Sequence, residues 1–396
     1  MDFSVSEKAK VLRGRLRLFM EAEVLPLESA LAEEEIAPEI LAALREKARA
    51  AGLFLPHLPQ EWGGLGLGLL DLCTLFEEAG QSLLGPLALN CSAPDEGNMH
   101  LLLLAGTAEQ KERYLRPLAQ GTCRSAFAMT EPAPGAGSDP SMMRTVARAK
   151  GSGFVIDGHK SFATGADGAG FLIVAAVTDA PAGGRKACTL FLVEGGQPGL
   201  RVVRRIPVMG TPGPGGHCEL LLESVEVPQT AVLGRVGDGL PLMQARLGPA
   251  RLTHCMRWLG AARRALTLAT ERARSRESFG KTLGEHQGVQ WMLADSATDL
   301  HASRLMTLEA AWRLETGVEA RAEVSMCKVF VAEAVERVID RALQVCGSLG
   351  YSADLPLERF YRDARAFRIY DGPSEVHRGV IARELLRRGP RAPAGS

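Results

Sequence analysis

Near the carboxyl end the chain reads Arg368-Ile369-Tyr370-Asp371-Gly372-Pro373-Ser374-Glu375-Val376-His377-Arg378. Gly372 and Pro373 end a helix and fix a turn, so Asp371 is predicted to lie on a short rigid corner between two helices. A carboxylate held there can face a pocket and act as a general base with little loss of freedom on positioning. Taken alone, the corner favours a plain turn or helix cap, for which Asp is also preferred. The remaining sequence decides between the two interpretations.

The corner lies within a helical pattern that extends over residues 237–388. Apolar residues recur there every three or four positions and predict one buried helical stripe, formed by Val324, Cys327, Val331, Val335, Val338, Ala342 and Val345. Cys346-Gly347 is predicted to end that helix. A few long helices joined by short loops are typical of a four-helix bundle.

The pattern changes in the middle of the chain, over residues 126–236. Short apolar runs occupy 154–156, 171–174, 190–193 and 220–222, the first three with β-branched and aromatic residues, and Asp157-Gly158 and Gly195-Gly196 are turns between runs. This spacing predicts an antiparallel sandwich or barrel. The absence of helical segments between the runs argues against a βαβ nucleotide-binding domain. Residues 1–125 carry helical spacing instead, and the tail 389–396 is predicted to be disordered.

The composition is that of an ordinary globular chain of two or three domains, with 396 residues, 46% apolar and 23% charged. Lys plus Arg equals Asp plus Glu at 46 each, so no net charge attracts nucleic acid or an anionic membrane. Eight cysteines without a CxxC pair indicate neither a zinc site nor a disulfide framework, and the eight histidines are too dispersed for a metal site. With no leader in residues 1–10 and no long apolar run, a cytoplasmic location is expected.

Several segments combine glycine, hydroxyl and cationic side chains in a way that suits a cofactor. Met129-Thr130-Glu131-Pro132 is followed by Gly135-Ala136-Gly137-Ser138-Asp139, and Gly158 to Gly165 places Phe162 beside hydroxyls. Such loops offer backbone N–H groups to a polar ring or a phosphate. A cationic, amide-rich corner from Arg272 to Gln287 suits a pyrophosphate. Each segment alone is equally typical of an ordinary loop or solvated face; His254 and His301 are interpreted as structural histidines within helices.

Taken in order, these motifs resemble the acyl-CoA dehydrogenase family over essentially the whole chain. The residues that carry the resemblance are 129–139, 158–164, 276–287, 344–350 and Tyr370-Asp371-Gly372. The resemblance implies an α+β fold with an N-terminal all-α domain (1–125), a middle antiparallel β-barrel domain (126–236) and a C-terminal four-helix bundle (237–388). It also implies FAD bound between the barrel and the bundle, with no metal.

The resemblance further implies roles for individual residues. Flavin contacts are implied for Met129, Thr130, Ser138, Phe162 and Thr164. Contacts with the FAD of a neighbouring subunit are implied for Arg276, Phe279, Gln287, Gln344 and Gly347. Contacts with the cofactor are also implied for Ser348, Pro373 and Glu375. Substrate contacts are implied for Ser138, Arg251, Tyr370 and Gly372. A homodimer or homotetramer is therefore expected.

By the same resemblance Asp371 is the catalytic base. It removes the α-proton of an acyl-CoA thioester while the β-hydride passes to flavin N5, giving a trans-2-enoyl-CoA, and an electron-transferring flavoprotein is the expected acceptor. Family precedent assigns enolate stabilisation to the backbone N–H of the base and to a flavin hydroxyl.

The chain departs from the commonest family pattern at the base itself. Glu is usual there and Asp371 is one methylene shorter, while a second branch places its base where this chain has Ala250. The position of Phe162 is often Trp. Residues 246–257 with 90–95 resemble a sub-branch that is fused in some organisms to a kinase-like domain and implicated in handling 4-hydroxyacyl-CoA.

Three other functions stay open at this stage. An Asp base on this fold occurs in nitroalkane oxidases, which need no CoA and whose reduced flavin reacts with oxygen. A relative of the family binds duplex DNA, and this chain has Arg383, Arg387, Arg388 and Arg391 near its end, although in a neutral protein they are more typical of a capped helix end. A flavin-free scaffold would not need so many site-type residues together.

Overall fold

A computed structural model describes residues 2–28, 35–179, 187–210 and 213–388. The predicted disordered tail, 389–396, lies outside these ranges. The helices are α1 (Glu7–Phe19), α2 (Pro38–Ala50), α3 (Leu69–Ala79), α4 (Gly85–Ala88), α5 (Asp95–Ala105), α6 (Ala108–Gln110), α7 (Arg116–Gln120), α8 (Gly239–Ser275), α9 (Gln287–Glu315), α10 (Arg321–Cys346), α11 (Ser348–Tyr351), α12 (Leu357–Arg365) and α13 (Ser374–Arg388). The predicted order of helices, then strands, then helices is confirmed.

The strands lie between the two helical blocks, apart from one small hairpin. They are β1 (Ser125–Ala128), β2 (Val146–Lys150), β3 (Gly153–Thr164), β4 (Phe171–Thr178), β5 (Ala187–Glu194), β6 (Leu200–Arg205), β7 (His217–Pro228) and β8 (Val232–Leu233), with the hairpin formed by β9 (Glu277–Ser278) and β10 (Lys281–Thr282). All four apolar runs identified in the sequence are strands, in β3, β4, β5 and β7.

One eight-stranded sheet contains β1 to β8 in the order β6-β7-β3-β2-β4-β5-β8, with β1 paired to β4. The prediction of a purely antiparallel domain is wrong at β4, which runs parallel both to β1 and to β2. Parallel pairing of β1 with β4 is possible because β2 and β3 intervene in the chain and return it to the same end of the sheet. Over the described residues β6 and β8 are the two ends of the strand order, so a closed barrel is not shown.

The strands β4 and β5 lie at the junction between the sheet and the helices. Alternate residues of β4 belong to different cores: Phe171, Ile173 and Ala175 pack with the helices, whereas Leu172 and Val174 pack within the sheet domain. A strand buried on both faces must be apolar at every position, which accounts for the unbroken runs in the sequence. The sheet is thereby fixed against the helical part of the molecule.

The two helical blocks share one hydrophobic core. The long helices α8, α9 and α10 pack against one another, α13 packs on α10, and α3 from the first block contacts both α8 and α9. The predicted stripe along α10 is buried at every position, and the helix ends at Cys346 with Gly347 at a positive φ of 62°. In the N-terminal block, the helical spacing of Val11, Leu12 and Leu16 and of Ile40, Leu41 and Leu44 predicts two further stripes, of which Val11 and Ile40 are exposed instead.

One edge of the sheet, β6, is open to solvent along most of its length. Its residues from Arg201 to Arg205 are all exposed. Arg204 pairs with Glu219 on β7 at 2.6 Å, and Arg205 pairs with Glu35 at 2.8 Å. The edge therefore combines charged side chains with small apolar ones.

The helices α3 and α8 approach so closely that their backbones touch where they cross. A Cβ atom on Gly80 would lie 2.0 Å from the carbonyl oxygen of Arg257, and one on Gly260 would lie 2.1 Å from that of Glu77. Both distances are far inside van der Waals contact. Only glycine fits at either position without moving one helix away from the other.

Replacing Gly260 with Ala is therefore expected to lower the free energy of unfolding by about 1 to 3 kcal/mol, because the added methyl group must separate the two helices. Gly14, on the exposed face of α1, serves as the control, since a Cβ atom there would have no other atom within 4 Å. Gly14→Ala should raise stability by about 0.5 to 1 kcal/mol through helix propensity. Chemical denaturation measures both, and a stabilised Gly260→Ala protein would contradict the close contact.

Candidate functional site

The corner predicted at Asp371 is present between α12 and α13. Asp371 has a φ of 54° and Gly372 a φ of 100°, both in the left-handed region. Asp is one of the few non-glycine residues that adopt this region readily, and Gly372 needs it. A Cβ on Gly372 would also come within 2.8 Å of Nε2 of His377. The Asp-Gly pair thus turns the chain and brings the first turn of α13 back towards Asp371.

The backbone of Asp371 is held from two helices. Its carbonyl oxygen accepts a hydrogen bond from Nε of Arg251 on α8 at 2.9 Å, and it lies 3.2 Å from Nε2 of His377 on α13. Nδ1 of His377 lies 3.1 Å from the hydroxyl of Ser325 on α10. Burial, followed by the charge of Arg251, lowers the pKa of His377 to about 4, so its ring is neutral at pH 7. The corner is rigid because neutral and charged donors converge on one carbonyl.

The carboxylate of Asp371 is largely buried, with its side chain 18% exposed. Nε2 of His254 lies 3.0 Å from Oδ2. Burial acts to raise the pKa of Asp371, but His254, then Arg246 and Lys328, outweigh it and hold the pKa well below its ordinary value. The site therefore presents an ionised carboxylate at neutral pH.

An aromatic wall stands beside this carboxylate. The indole N–H of Trp258 donates to the hydroxyl of Tyr370 at 2.6 Å, and Phe367 packs against both rings. Lys328 is 1% exposed, donates from Nζ to the carbonyl of Phe367 and lies 4.6 Å from the centre of that ring. Burial lowers the pKa of Lys328 to about 8, although Cys255 and Asp371 oppose the shift. The wall limits the access of water to one side of Asp371.

Beyond His254 lies a second buried charge cluster on α5 and α8. Glu96 is 5% exposed, accepts a hydrogen bond from the hydroxyl of Thr253 at 3.0 Å and lies 3.5 Å from Nη1 of Arg257. Burial acts to raise the pKa of Glu96, but Arg257 and the nearby histidines lower it below its ordinary value. Arg246 extends the cluster to the sheet, since its guanidinium lies 4.3 Å from the ring of Phe127 on β1.

The predicted flavin segments come together at β3. Ser161 donates its N–H to the carbonyl of Thr130 at 2.9 Å, and the hydroxyl of Thr130 donates back to the carbonyl of Ser161. Phe162 was expected in a turn, but it lies within β3 at a bulge opposite β7, with a φ of 56°. The bulge turns the ring outward, so that 58% of it is exposed. The hydroxyl oxygen of Thr164 lies 2.9 Å from Nδ1 of His217.

A buried ion pair fixes the segment that contains Met129 and Thr130. Nζ of Lys160 on β3 donates to Oε1 of Glu131 at 3.0 Å and to the carbonyl of Met129 at 3.1 Å. The carboxylate of Glu131 also accepts hydrogen bonds from the N–H groups of Arg144 and Thr145. Burial acts to raise the pKa of Glu131, but Lys160 and these donors lower it to about 2. Lys160 is fully buried, so the pair belongs to the interior of the domain.

The remaining predicted site residues divide into two groups. Tyr370 and Gly372 are partly buried beside Asp371, as are Met129 and Pro373 at their own positions. The others are exposed: Ser138, Arg276, Phe279, Gln287, Gln344, Gly347, Ser348 and Glu375. Phe279 is 95% exposed and has a φ of 53°, an unusual arrangement for a large apolar side chain. Among the described residues, no hydrogen bond links these exposed residues to Asp371.

His254 is interpreted from the sequence as a structural histidine, and the sequence does not predict that its ring lies 3.0 Å from Oδ2 of the candidate base. Lys328 and His377 were not identified either. The sequence does hold one signal: His254 follows Arg251 by three positions and so lies on the same helical face. Of the arginines considered for DNA binding, Arg387 pairs with Glu384 at 3.0 Å, and Arg391 lies outside the described residues.

Comparison with known families covers nearly all of the chain. The N-terminal domain model of acyl-CoA dehydrogenases matches residues 6–122, the middle domain model matches 126–225 and the C-terminal domain model matches 237–386. The chain belongs to the acyl-CoA dehydrogenase family.

Individual acyl-CoA dehydrogenase relatives agree. The chain is 42% identical over 401 residues to "Probable acyl-CoA dehydrogenase FadE2" of Mycobacterium tuberculosis, with 98% of each protein covered. It is 38% identical over 402 residues to acyl-CoA dehydrogenase family member 11 of Gallus gallus, covering 97% of this chain and only 51% of that protein. The chain thus spans about half the length of that second relative.

Two solved structures, one of them of an acyl-CoA dehydrogenase, have the same fold. Butyryl-CoA dehydrogenase from Megasphaera elsdenii superposes with a TM-score of 0.87 at 29% identity, over 98% of this chain and 100% of the other. The FAD complex of PigA has a TM-score of 0.87 at 27% identity, with the same coverage. In this acyl-CoA dehydrogenase the eight cysteines are free thiols, and none of the helices within the described ranges is long and apolar enough to cross a membrane.

The buried ion pair of this acyl-CoA dehydrogenase provides a stability test. Glu131→Gln is expected to lower the free energy of unfolding by about 3 to 5 kcal/mol, because it leaves the charge of Lys160 buried without its partner. The pKa of Glu131 is about 2 in the folded protein against an ordinary value of 4.5. Its contribution should therefore be complete above pH 4.5 and disappear as the pH falls towards 2.

Glu226→Gln is the matched control, because Glu226 pairs with Lys150 at the surface, where the two side chains are 65% and 63% exposed. This substitution should lower the free energy of unfolding by less than about 1 kcal/mol. Urea denaturation of both variants makes the comparison, and equal losses would contradict the structural importance of the buried pair.

Proposed function

We propose that the protein catalyses the FAD-dependent α,β-dehydrogenation of an acyl-CoA thioester to a trans-2-enoyl-CoA, with Asp371 as the base. The observation that carries this proposal is the placement of Asp371. An ionised carboxylate, mostly withdrawn from water, is fixed at its backbone by Arg251 and His377. Membership of the family supports the reaction type.

The residues present fit a flavin. The paired hydrogen bonds between Thr130 and Ser161 hold two loop segments side by side, and the bulge in β3 exposes the face of Phe162 next to them. Gly137 and Gly347 have no neighbouring atom within 4 Å of where a Cβ would lie, so a ligand can approach their backbone. We infer that Met129, Thr130, Ser138, Phe162 and Thr164 hold the flavin.

The exposure of several predicted cofactor-binding residues supports the proposal that a second subunit completes the cofactor site. Arg276, Phe279 and Gln287, with Gln344, Gly347 and Ser348, all face solvent in a single chain. We propose that they reach the FAD of a neighbouring copy, so that a homodimer is the smallest unit and a homotetramer a natural extension. Pro373 and Glu375 are assigned to the cofactor of their own chain.

When bound, FAD supplies the hydride acceptor, at its N5. The chain's own residues do the rest. Asp371 accepts the α-proton, so that the α C–H bond breaks and an O–H bond forms on the carboxylate. The electron pair of the α C–H bond stays on the substrate and becomes the second bond between Cα and Cβ, while the hydride leaves Cβ with the electrons of its own C–H bond. The N–H of Asp371 is proposed to donate to the thioester oxygen, where negative charge develops. Arg251 fixes the corner, and Tyr370, Gly372 and Ser138 are proposed to line the substrate site.

The aromatic wall serves this chemistry by excluding water. A thioester α-proton is only weakly acidic, and electrostatic stabilisation of the developing enolate is stronger where solvent is absent. Trp258, Phe367 and Tyr370 form one continuous apolar surface beside the carboxylate. We propose an electron-transferring flavoprotein as the acceptor that reoxidises the cofactor.

Asp371→Asn tests the proposed function. The variant keeps the shape of the side chain but cannot accept the proton, so flavin bleaching by acyl-CoA should slow by about 100- to 10,000-fold. Anaerobic titration of the FAD-loaded protein with acyl-CoAs of graded chain length, followed by visible absorbance, measures the effect and ranks the substrates.

Asp354→Asn, at an exposed Asp, is the control and should bleach as the parent does. Bound FAD that no acyl-CoA bleaches in the parent protein would overturn the proposal. Bleaching by nitroalkanes with rapid reoxidation in air would then favour an oxidase, and salt-dependent retention on duplex DNA would favour a binding role.

A further inference from the structure

The side chain of Asp371 has one close neighbour that the family assignment does not explain. Nε2 of His254 lies 3.0 Å from Oδ2, and the two side chains are 13% and 18% exposed. Oδ2 itself is buried, and within the described residues no hydrogen bond of standard geometry reaches it, so the contact with His254 is a close approach at 3.0 Å. His254 also packs against the ring of Tyr370, with the ring centres 4.8 Å apart. The imidazole is therefore held in place by packing as well as by the carboxylate.

The rest of the corner leaves only the side chain of Asp371 free to move. Its carbonyl is fixed by Arg251 and faces His377, and its φ of 54° is set by the turn. What remains are the two side-chain torsions, which decide where the carboxylate points. An Asp carboxylate has a shorter reach than that of Glu, so an error in its direction is not recovered by bending a longer chain. A donor at Oδ2 removes this freedom.

We propose that His254 is a positioning residue, which binds Oδ2 of Asp371 and thereby directs Oδ1 towards the α-proton of the substrate. This proposal rests on the function proposed above. His254 touches the base and is not assigned a contact with the substrate, so it acts through Asp371. The contact with His254 would explain how the carboxylate of Asp371, one methylene shorter than that of Glu, is held within reach of the α-proton.

A histidine suits this role better than a permanent cation. Burial, then the charge of Arg257, lowers the pKa of His254, although Asp371 opposes the shift, so the ring is neutral at pH 7. The charge of a protonated His254 is the largest influence that would lower the pKa of Asp371, so a ring that is neutral at pH 7 orients the carboxylate at less cost to its strength as a base. The charged and titratable groups that surround the pair are Arg246, Arg251, Cys255 and Arg257 on α8, Lys328 on α10, Glu96 on α5, His377 on α13, and Tyr370.

Two neutral substitutions separate positioning from simple packing. In His254→Gln the amide nitrogen takes roughly the place of Nε2 and can still donate to Oδ2. In His254→Asn the amide is too short to reach it. We expect the Gln variant to bleach its flavin within about 3-fold of the parent rate, and the Asn variant to be slower by about 10- to 100-fold, because a misdirected base loses its near-attack geometry.

The pH dependence of kcat/KM distinguishes the two roles, because a loss of packing alone would not change it. Loss of the His254 contact removes an influence that lowers the pKa of Asp371, so this pKa should rise in His254→Asn. Asp371 must be ionised to act, and the acidic limb of kcat/KM should therefore move to higher pH by about one unit or more. His254→Gln should keep an acidic limb near that of the parent. His301→Asn, at an exposed histidine on α9, is the control for losing an imidazole.

An infrared titration gives the same information without any turnover. The carboxyl band that is missing from Asp371→Asn identifies the base, and in His254→Asn it should titrate at higher pH than in the parent. If His254→Asn and His254→Gln match the parent in rate, acidic limb and band position, the proposal is overturned. A parent protein that no acyl-CoA bleaches but whose Asp371 band still shifts in His254→Asn would refute the proposed reaction and leave the positioning contact standing.

Discussion

The close contact between α3 and α8 fixes where the charged groups that α8 carries lie relative to Asp371. The helix α8 carries Arg246, Arg251, His254 and Arg257 on successive turns, and it packs against α3, α5, α9, α10 and β5. At Gly80 and Gly260 the two backbones meet with no side chain between them. Helices in such contact cannot slide past each other by a fraction of a turn, so the charges on α8 stay in register with the corner opposite.

The electrostatics of the site place an unusual demand on the chemistry. A carboxylate whose pKa is held low is ionised and available over the whole neutral range, yet it is a weak base for that same reason. The structure therefore does not favour the reaction by strengthening the base. In the proposed reaction, hydrogen bonds to the thioester oxygen and the exclusion of water must therefore make the α-proton of the substrate more acidic. Geometry at Asp371 then matters more than basicity, which is consistent with the number of contacts that fix its backbone.

Much of the fold could be predicted from the sequence because it depends on local patterns. The buried stripe of α10 follows from helical spacing, the four apolar runs from strand composition, and the corner at Asp371 from the turn chemistry of Gly and Pro. The features that were missed depend on partners distant in sequence. The parallel pairing of β1 with β4, the bulge at Phe162 and the open order of the sheet are all set by which strands meet, and periodicity does not determine that. The candidate site shows the same division. Asp371 could be identified by its motif, but its contact with His254 joins residues more than a hundred positions apart. Likewise, Glu131 meets Lys160 only once β3 has formed.

The open edge at β6 bears on the behaviour of the protein at high concentration. An unpaired strand presents free N–H and C=O groups, and another chain can add to it to form a continuous intermolecular sheet. In β6, however, Arg201, Arg204 and Arg205 flank two exposed valines, and a second copy docking edge to edge would have to displace these long side chains from their carboxylate partners. The exposed valines alone would favour pairing of this edge with a strand of another molecule, whereas the arginines oppose that pairing. Colloidal stability is thus built into the same strand that ends the sheet.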